Sequence, residues 1–324
     1  MLVPSNNTEL LLPTSLPTVQ LPVLIENAGE EAVIRFIEFF LAKIRNPHTR
    51  RAYAGTLKRF LAWCHERGLT LETITSIAIS AYIEQLPGEP PTVKRHLAAI
   101  NSFFKWMKKY EVVKTNPAAK VTGPSHRVKT GKTTALSDEE MRELLNAIDV
   151  SHVVGLRDRA LIATMFFSFA RISAVLGMKV KDYFPKNKRY WLRLQEKGSK
   201  YHEVPAHHLV EEYLDLYIEE GQLLEQKDSP LFRTTRGRSR RLTERGLRQQ
   251  DAYAMVQRRA LAAGIEGEVC NHSFRASGIT NFLRNGGSRD NAQKIAAHED
   301  VKTTALYDRR GDTVTLDEIE RIRL

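Results

Sequence analysis

Cysteine is scarce in this chain, which has only Cys64 and Cys270 among its 324 residues. Two thiols so far apart in sequence exclude a disulfide framework and a cysteine-based metal site, so we expect both to be reduced and structural. Long apolar runs are absent too, which argues against a membrane-spanning helix. The stretch 1–28 lacks the basic start of a signal peptide and is interrupted by four prolines. It predicts a flexible N-terminal arm on a cytoplasmic protein.

Negative charge is also under-represented. The chain has 38 Asp and Glu against 49 Lys and Arg, a formal net charge of +11. This surplus favours a polyanionic partner, although a merely basic soluble protein would show the same balance. The basic residues form no low-complexity run, so any DNA contact should come from folded surfaces. We see no carboxylate cluster suited to Mg²⁺.

Hydrophobic residues make up 42% of the chain, enough for two domains of ordinary size. The first, at 29–115, shows apolar residues at helical spacing. The predicted helices of this domain cover 30–44, 48–67, 75–86 and 91–110. Segment 116–134 is rich in Pro, Gly, Thr and Lys and lacks periodicity, so it predicts a linker.

The second predicted domain covers 135–324 and begins with the capping-box pair Ser137 and Glu140. Its apolar stretch at 156–169 predicts a buried central helix. Two short alternating stretches predict paired strands. The predicted strands cover 190–194 and 201–204, and the other predicted helices cover 138–148, 206–221, 243–263, 273–283 and 315–322.

Basic and hydroxyl side chains along these elements are the predicted DNA contacts, because phosphates attract such groups. The alternative for each of them is a solvated face without a partner. Six lie in the first domain, two in the linker and four in the basic stretch RTTRGRSRR. The predicted set is Thr49, Arg50, Arg51, Lys94, Arg95, Lys105, Arg127, Lys129, Arg236, Arg238, Arg240 and Arg241.

The stretch 271–310 concentrates residues that suit work on a phosphodiester. His272 and Arg275 lie three residues apart, so on a helix they share a face. His298 and Tyr307 follow. Arginine can clamp non-bridging oxygens, histidine can move protons and tyrosine can act as a covalent nucleophile. Any one of these side chains, taken alone, could instead be a packing residue.

Two residues upstream complete a pattern. Arg171 follows the predicted buried helix, and Lys197 lies between the two predicted strands. The order Arg, Lys, His-x-x-Arg, His, Tyr resembles that of the tyrosine recombinase (phage integrase) family. The segment 46–64, NPHTRRAYAGTLKRFLAWC, is similar to the start of that family's core-binding domain. The resemblance covers nearly the whole chain from about residue 30.

The resemblance implies a mainly α fold with a small antiparallel β-sheet. An N-terminal four-helix core-binding (SAM-like) domain would precede an α+β catalytic domain, whose C-terminal helix docks on a neighbouring protomer. The implied activity is site-specific recombination or integration through a 3′-phosphotyrosyl intermediate, without ATP, metal or other cofactor. The implied assembly is a homotetramer on double-stranded DNA with paired half-sites. The resemblance leaves open a second recombinase or an accessory DNA-bending protein.

Chemistry and resemblance together assign roles to the arginines and the tyrosine. Arg171 and Arg275 would neutralise the phosphodiester and stabilise its pentacoordinate transition state. A bound phosphate would also supply the partner that Arg171 needs at the end of a buried helix. Tyr307 would be the nucleophile, and His272 its base, because a phenol with a reference pKa of about 10 is scarcely ionised at neutral pH.

The remaining roles fall to Lys197 and His298. Lys197 would protonate the leaving 5′ oxygen, with Lys200 as a rival, and His298 would hydrogen-bond a non-bridging oxygen. Three alanines depart from the family's usual pattern. Ala174 stands where an acid commonly follows the first arginine, Ala276 where histidine is frequent, and Ala297 where glycine is usual. The first departure leaves the group that orients the first arginine unassigned.

Two other functions are compatible with these residues. A type IB topoisomerase would share the chemistry but relax supercoils without strand exchange, and the core-binding domain and C-terminal helix argue against it. A non-catalytic DNA-binding protein on the same fold is the second alternative. The complete set of six candidate catalytic residues argues against it.

Overall fold

Apolar residues recur at helical spacing through the N-terminal half, and the chain folds there into helices. The structure, a computed structural model, describes residues 21–125, 133–196, 201–237, 239–299 and 301–308. The chain divides into two units, Met1–Arg127 and Val128–Leu324. In the described parts, no helix is long and apolar enough to cross a membrane.

The N-terminal unit confirms the four predicted helices. Asn46 accepts hydrogen bonds from the backbone N–H groups of His48 and Thr49, which caps the helix that begins at Pro47. Phenylalanines packed edge to face fill the core between the helices. The elements are α1 Val23–Glu26, α2 Glu30–Glu38, a π-helical turn Phe39–Lys43, α3 Pro47–His65, α4 Ser76–Glu84 and α5 Pro90–Lys109.

Both predicted edges of this unit differ from the structure. The arm was predicted to reach residue 28, but Leu24 and Ile25 in α1 are buried in the helical core, so the folded unit begins earlier. Ala118, inside the predicted linker, is also buried there. Both segments carry apolar side chains, and packing these side chains into the core is favourable because it removes them from water. Residues 1–20 and 126–132 lie outside the described residues.

The C-terminal unit begins with the predicted capping box. Ser137 accepts a hydrogen bond from the backbone of Glu140 at 3.1 Å, and the Glu140 carboxylate accepts one from the backbone of Ser137 at 2.7 Å. As predicted, the second helix of this unit is central and buried, and it packs against the helices at His208–Glu220 and Asn271–Arg284. The helices are α6 Asp138–Asn146, α7 Val153–Ser168, α8 Ile172–Leu176, α9 His208–Glu220, α10 Gln249–Ala262, α11 Asn271–Arg284, α12 Arg289–Ile295 and α13 Val301–Ala305.

Among the described residues of this unit, two antiparallel sheets accompany the helices. The first has the order β1-β2-β3 and contains the predicted strand pair, in which Leu192 lies opposite Val204. Its strands are β1 Tyr183–Lys186, which was not predicted, β2 Arg189–Gln195 and β3 Tyr201–Pro205. The second sheet pairs β4 Arg233–Thr235 with β5 Leu242–Gly246. The helix predicted at 315–322 lies outside the described residues.

The second sheet corrects the helix predicted at 243–263. Residues 242–246 pair as a strand, and the helix begins only at Gln249. The hydroxyls of Thr234 and Thr243 lie 2.6 Å apart across the two strands. Such cross-strand pairs stabilise a sheet and decide the conformation of a segment whose own sequence would also allow a helix.

Candidate active site

The end of α7 supplies the first part of the site. Phe169 adopts a left-handed conformation, with φ of 55°, which stops the helix and directs its carbonyl toward Arg275. Arg171 follows two residues later, and its side chain is 37% exposed. Its Nη1 donates to Oε2 of Glu196 at 2.5 Å, and Glu196 is buried directly after β2. The structure therefore pairs Arg171 with a carboxylate, where we had expected a phosphate to be its partner.

The N-terminal half of α11 carries the second part. Its start is stabilised by Ser273, whose hydroxyl accepts from the backbone N–H of Cys270 at 3.1 Å. One turn along lies Arg275, which is 1% exposed. Its guanidinium donates to the carbonyls of Phe169 and Ala296, the latter at 2.7 Å. Burial, together with the positive charge of Arg171, lowers the Arg275 pKa to about 10.

The turn after α12 presents His298. Ala297 there has a φ of 47°, in the left-handed region that favours glycine, so the alanine occupies a conformation that is strained for it. His298 is buried, and its Nδ1 lies 2.8 Å from the hydroxyl of Thr304. Its ring stacks on that of Tyr307, with centroids 5.8 Å apart and planes at 11°.

Tyr307 connects the parts of the site. Its hydroxyl lies 2.7 Å from Nε2 of His272 on α11, and its carbonyl accepts a hydrogen bond from Thr280 at 3.1 Å. The ring packs in a small apolar cluster with Phe169 and Ile279. The phenol is thus held on a fixed ring, with its oxygen directed at an imidazole.

The electrostatics of the site favour a neutral acid–base pair beside two cations. Burial, followed by the charges of Arg275 and Arg171, lowers the pKa of His272. The same causes lower the pKa of His298 to about 3. Burial raises the pKa of Tyr307, while the nearby Arg275 acts in the opposite direction. At neutral pH, His272 can therefore accept a hydrogen bond from the protonated Tyr307.

The structure brings together five of the six predicted catalytic residues. Lys197 and its rival Lys200 lie outside the described residues, in the segment between β2 and β3. A pocket that is open to solvent adjoins the site and is lined by residues that include Arg171 and His272. In the parts of the chain that are described, no group of three or more His, Cys, Asp or Glu is arranged to hold a metal.

Sequence reasoning missed three residues of the site. Glu196 pairs with Arg171, Thr304 contacts His298, and Thr280 contacts the backbone of Tyr307. Thr280 and Thr304 are common residue types without a distinctive pattern. Only the alanine at position 174 signalled that an acid should come from elsewhere.

The predicted DNA contacts that fall within the described residues lie on the protein surface. Arg50 is half-buried, and its Nε donates a hydrogen bond to the carbonyl of Ile44 at 3.0 Å. One N–H group of its guanidinium is therefore already hydrogen-bonded within the protein. The exposed members are Thr49, Arg51, Lys94, Arg95, Lys105, Arg236, Arg240 and Arg241. Arg127, Lys129 and Arg238 lie outside the described residues.

Comparison with known proteins identifies the family and the fold. Residues 134–313, more than half of the chain, match the model of the phage integrase family, and residues 33–111 match that of the phage integrase N-terminal SAM-like domain. The tyrosine recombinase XerC of Myxococcus xanthus is 30% identical over 86% of this chain and 90% of its own length. The tyrosine recombinase XerD of Chlorobaculum tepidum is 28% identical over 80% of this chain and 85% of its own.

Solved structures agree on the fold. The XerH site-specific recombinase bound to palindromic difH substrate matches with a TM-score of 0.66 at 22% identity, over 91% of this chain and 88% of that one. A lambda integrase dimer bound to a core site also matches with a TM-score of 0.66, at 16% identity, over 88% of this chain and 98% of that one.

The fold and its relatives define an enzyme that breaks and rejoins DNA. The chain belongs to the phage integrase family, and it is a tyrosine recombinase. The predicted family, fold class and enzyme class are confirmed.

Proposed function

We propose that this protein exchanges strands between two DNA duplexes with Tyr307 as its nucleophile. The observation that carries this proposal is the 2.7 Å contact between the Tyr307 hydroxyl and Nε2 of His272. A general base must lie within hydrogen-bond reach of the proton that it removes, and this one does. Arg275 beside the phenol favours the phenolate as it forms.

The proposed reaction begins when the Tyr307 oxygen attacks the scissile phosphorus and its proton passes to His272. The bond from phosphorus to the 5′ oxygen breaks, and Lys197 gives that oxygen a proton. The products are a 3′-phosphotyrosyl bond and a free 5′-hydroxyl. A 5′-hydroxyl from the partner duplex then attacks the phosphotyrosine, which releases Tyr307 and joins the exchanged strands. No ATP is required, because the covalent intermediate conserves the phosphodiester energy.

The other groups would stabilise charge on the phosphate. Arg171 and Arg275 donate N–H groups to the non-bridging oxygens, and His298 contributes a further donor while the hydroxyl of Thr304 fixes its ring. Donors that are already in place stabilise a transition state without reorganising during the reaction. The carbonyls that hold Arg275 provide such an arrangement before DNA binds.

The proposed partner is double-stranded DNA with paired half-sites, bound by a homotetramer. Support comes from a lambda integrase whose structure is a tetramer bound to a Holliday junction. The exposed basic residues of both units would contact the phosphates. A second recombinase or a DNA-bending protein could take part in the same assembly. The proposed location of the reaction is the cytoplasm.

The test is covalent trapping on a substrate nicked near the crossover point. Wild type should form a protease-sensitive protein–DNA adduct that peptide mapping places on Tyr307. Tyr307→Phe removes one oxygen and keeps the ring, so it should bind the site normally and form no adduct. Tyr253→Phe, which alters a tyrosine beside the same pocket, should leave the adduct intact.

Three other tyrosines, Tyr183, Tyr190 and Tyr201, are the remaining rivals. An adduct that persists in Tyr307→Phe, or that maps to any other tyrosine, would overturn the proposal. Incubation with two sites on one supercoiled plasmid separates recombination from topoisomerase action. Recombinant products support strand exchange, whereas relaxation alone would point to a type IB topoisomerase.

A further inference from the structure

Glu196 is a buried carboxylate with a defined partner. It follows β2 directly and is 8% exposed, although acidic side chains are rarely buried unless they are paired. Its Oε2 accepts a hydrogen bond from Nη1 of Arg171 at 2.5 Å. Within the described residues, it is the only hydrogen-bond partner of the Arg171 side chain.

Position 174, three residues after Arg171, is apolar here, although the family commonly carries an acid there. Ala174 is 1% exposed and lies in α8, whose sequence ISAVL contains no acidic residue. That helix packs against β2, and Glu196, the residue directly after β2, supplies a carboxylate to Arg171. The pairing joins residues 25 positions apart in the chain.

We infer that Glu196 is a positioning residue, which orients Arg171 toward the scissile phosphate and replaces the acid absent at Ala174. The inference rests on the proposed function. A guanidinium is planar and has several N–H donors, so a carboxylate on Nη1 fixes its plane and leaves the other donors for phosphate oxygens. Because the Arg171 side chain is 37% exposed, it would otherwise sample several rotamers.

The charge of Glu196 also reaches the second arginine. Burial lowers the pKa of Arg275, and the negative charge of Glu196 acts in the opposite direction. One carboxylate thus lies near both guanidiniums and offsets part of their mutual repulsion before the phosphate arrives.

The experiment compares Glu196→Gln with Glu203→Gln. Glu203 lies on the neighbouring strand β3 and pairs at the surface with Lys186 at 2.9 Å and Arg193 at 3.1 Å, so it is a matched loss of one paired carboxylate. Cleavage of a nicked substrate is measured in single turnover at saturating protein, with DNA affinity measured separately. We expect Glu196→Gln to cleave about 10-fold to 100-fold more slowly, a loss of the size known for groups that orient metal ligands. Its affinity, and the cleavage rate of Glu203→Gln, should match wild type.

Two modified substrates identify the neighbour through which Glu196 acts. A methylphosphonate at the scissile position is neutral and needs less help from Arg171, so the gap between wild type and Glu196→Gln should narrow on it. A 5′-bridging phosphorothiolate leaves without a proton and so relieves a defect in Lys197, the residue next to Glu196. Rescue by the phosphorothiolate alone, or by neither substrate, would overturn the inference.

Glu196→Asp controls for the case in which Glu196→Gln is slow only because it folds poorly. It keeps the charge on a shorter side chain, and its rate should fall between those of wild type and Glu196→Gln. Equal rates for wild type and Glu196→Gln would overturn this inference and leave the proposed function intact. Absence of an adduct from wild type would instead remove the proposed function itself.

Discussion

Two regions of this molecule use positive charge in opposite ways. In the candidate active site, Arg275 is 1% exposed and donates hydrogen bonds to two backbone carbonyls. On the N-terminal unit, Lys94 and Arg95 are exposed near the start of α5, and no acidic side chain among the described residues forms an ion pair with them. The first cation is fixed and poorly solvated, whereas the second pair is hydrated.

The difference follows from the two proposed tasks. A charge stabilises a transition state best when it is already oriented in a site that excludes water. Charges that bind DNA by releasing its counterions need only reach the phosphates. The catalytic arrangement opposes stability, since a buried cation beside another cation is unfavourable. The exposed arrangement has little effect on stability.

Lys197→Ala tests whether Lys197, in the segment between β2 and β3, acts as a positioned general acid. A positioned general acid contributes roughly 10²-fold to 10⁴-fold, so cleavage should slow by that factor. A 5′-bridging phosphorothiolate substrate should restore the rate. Lys200→Ala is the matched control and should cleave normally. If only Lys200→Ala is slow and rescued by sulfur, the proton comes from Lys200.

Arg275→Met tests whether catalytic charge opposes stability. Cleavage should fall by roughly 10²-fold to 10³-fold, as when one preorganised donor is lost. The lowered Arg275 pKa indicates that folding disfavours this charge by a few kcal/mol. A side chain of similar volume without the charge should therefore leave the free energy of unfolding unchanged or raise it, as measured with denaturant. A clear loss of stability would mean that the two carbonyl hydrogen bonds outweigh the burial of the charge.

His298 predicts how stability depends on pH. Its folded pKa, about 3, lies below its unfolded value, so stability from this residue is present above about pH 6.5 and is lost as the pH falls. Between pH 7 and pH 5 the loss should be about 1–2 kcal/mol in urea unfolding. His298→Gln should flatten this dependence, whereas His65→Gln, at an exposed histidine, should not. An unchanged pH dependence in His298→Gln would show that the buried imidazole titrates normally.

Lys94→Ala combined with Arg95→Ala should have the smallest effect. If both side chains contact phosphates, the slope of log K against log salt should become shallower by about 1.8, with little change in stability. The control is Lys108→Ala with Lys114→Ala, which starts about 20 Å farther along α5 and removes the same charge. Equal changes of the slope in the two double variants would indicate a general effect of net charge. Lys94 and Arg95 would then not be specific phosphate contacts.

The sequence was most informative where chemistry and local spacing coincide. His272 and Arg275 lie three residues apart, so any helix there places them on one face, and α11 does so. Helix boundaries in the N-terminal unit also followed apolar spacing and caps such as Asn46. These features depend on neighbours within a few residues, so they can be predicted from the chain alone.

Predictions were wrong where contacts with a distant segment outweighed the local preference of the sequence. Residues 242–246 form a strand because β4 pairs with them, and nothing within the segment itself requires that pairing. Leu24 and Ile25 follow a proline-interrupted stretch that predicts an arm, yet the helical core of the N-terminal unit buries them. In both cases, burial and pairing outweighed the local signal.

The site shows the same division. The order of Arg171, His272, Arg275, His298 and Tyr307 can be read along the chain, because each residue type carries its own chemistry. The contacts that hold these residues cannot be read in this way. Arg275 is fixed by a carbonyl 106 positions away and Arg171 by a carboxylate 25 positions away. Which groups meet depends on how the helices and strands pack, since only packing brings distant segments within hydrogen-bond distance and removes them from water.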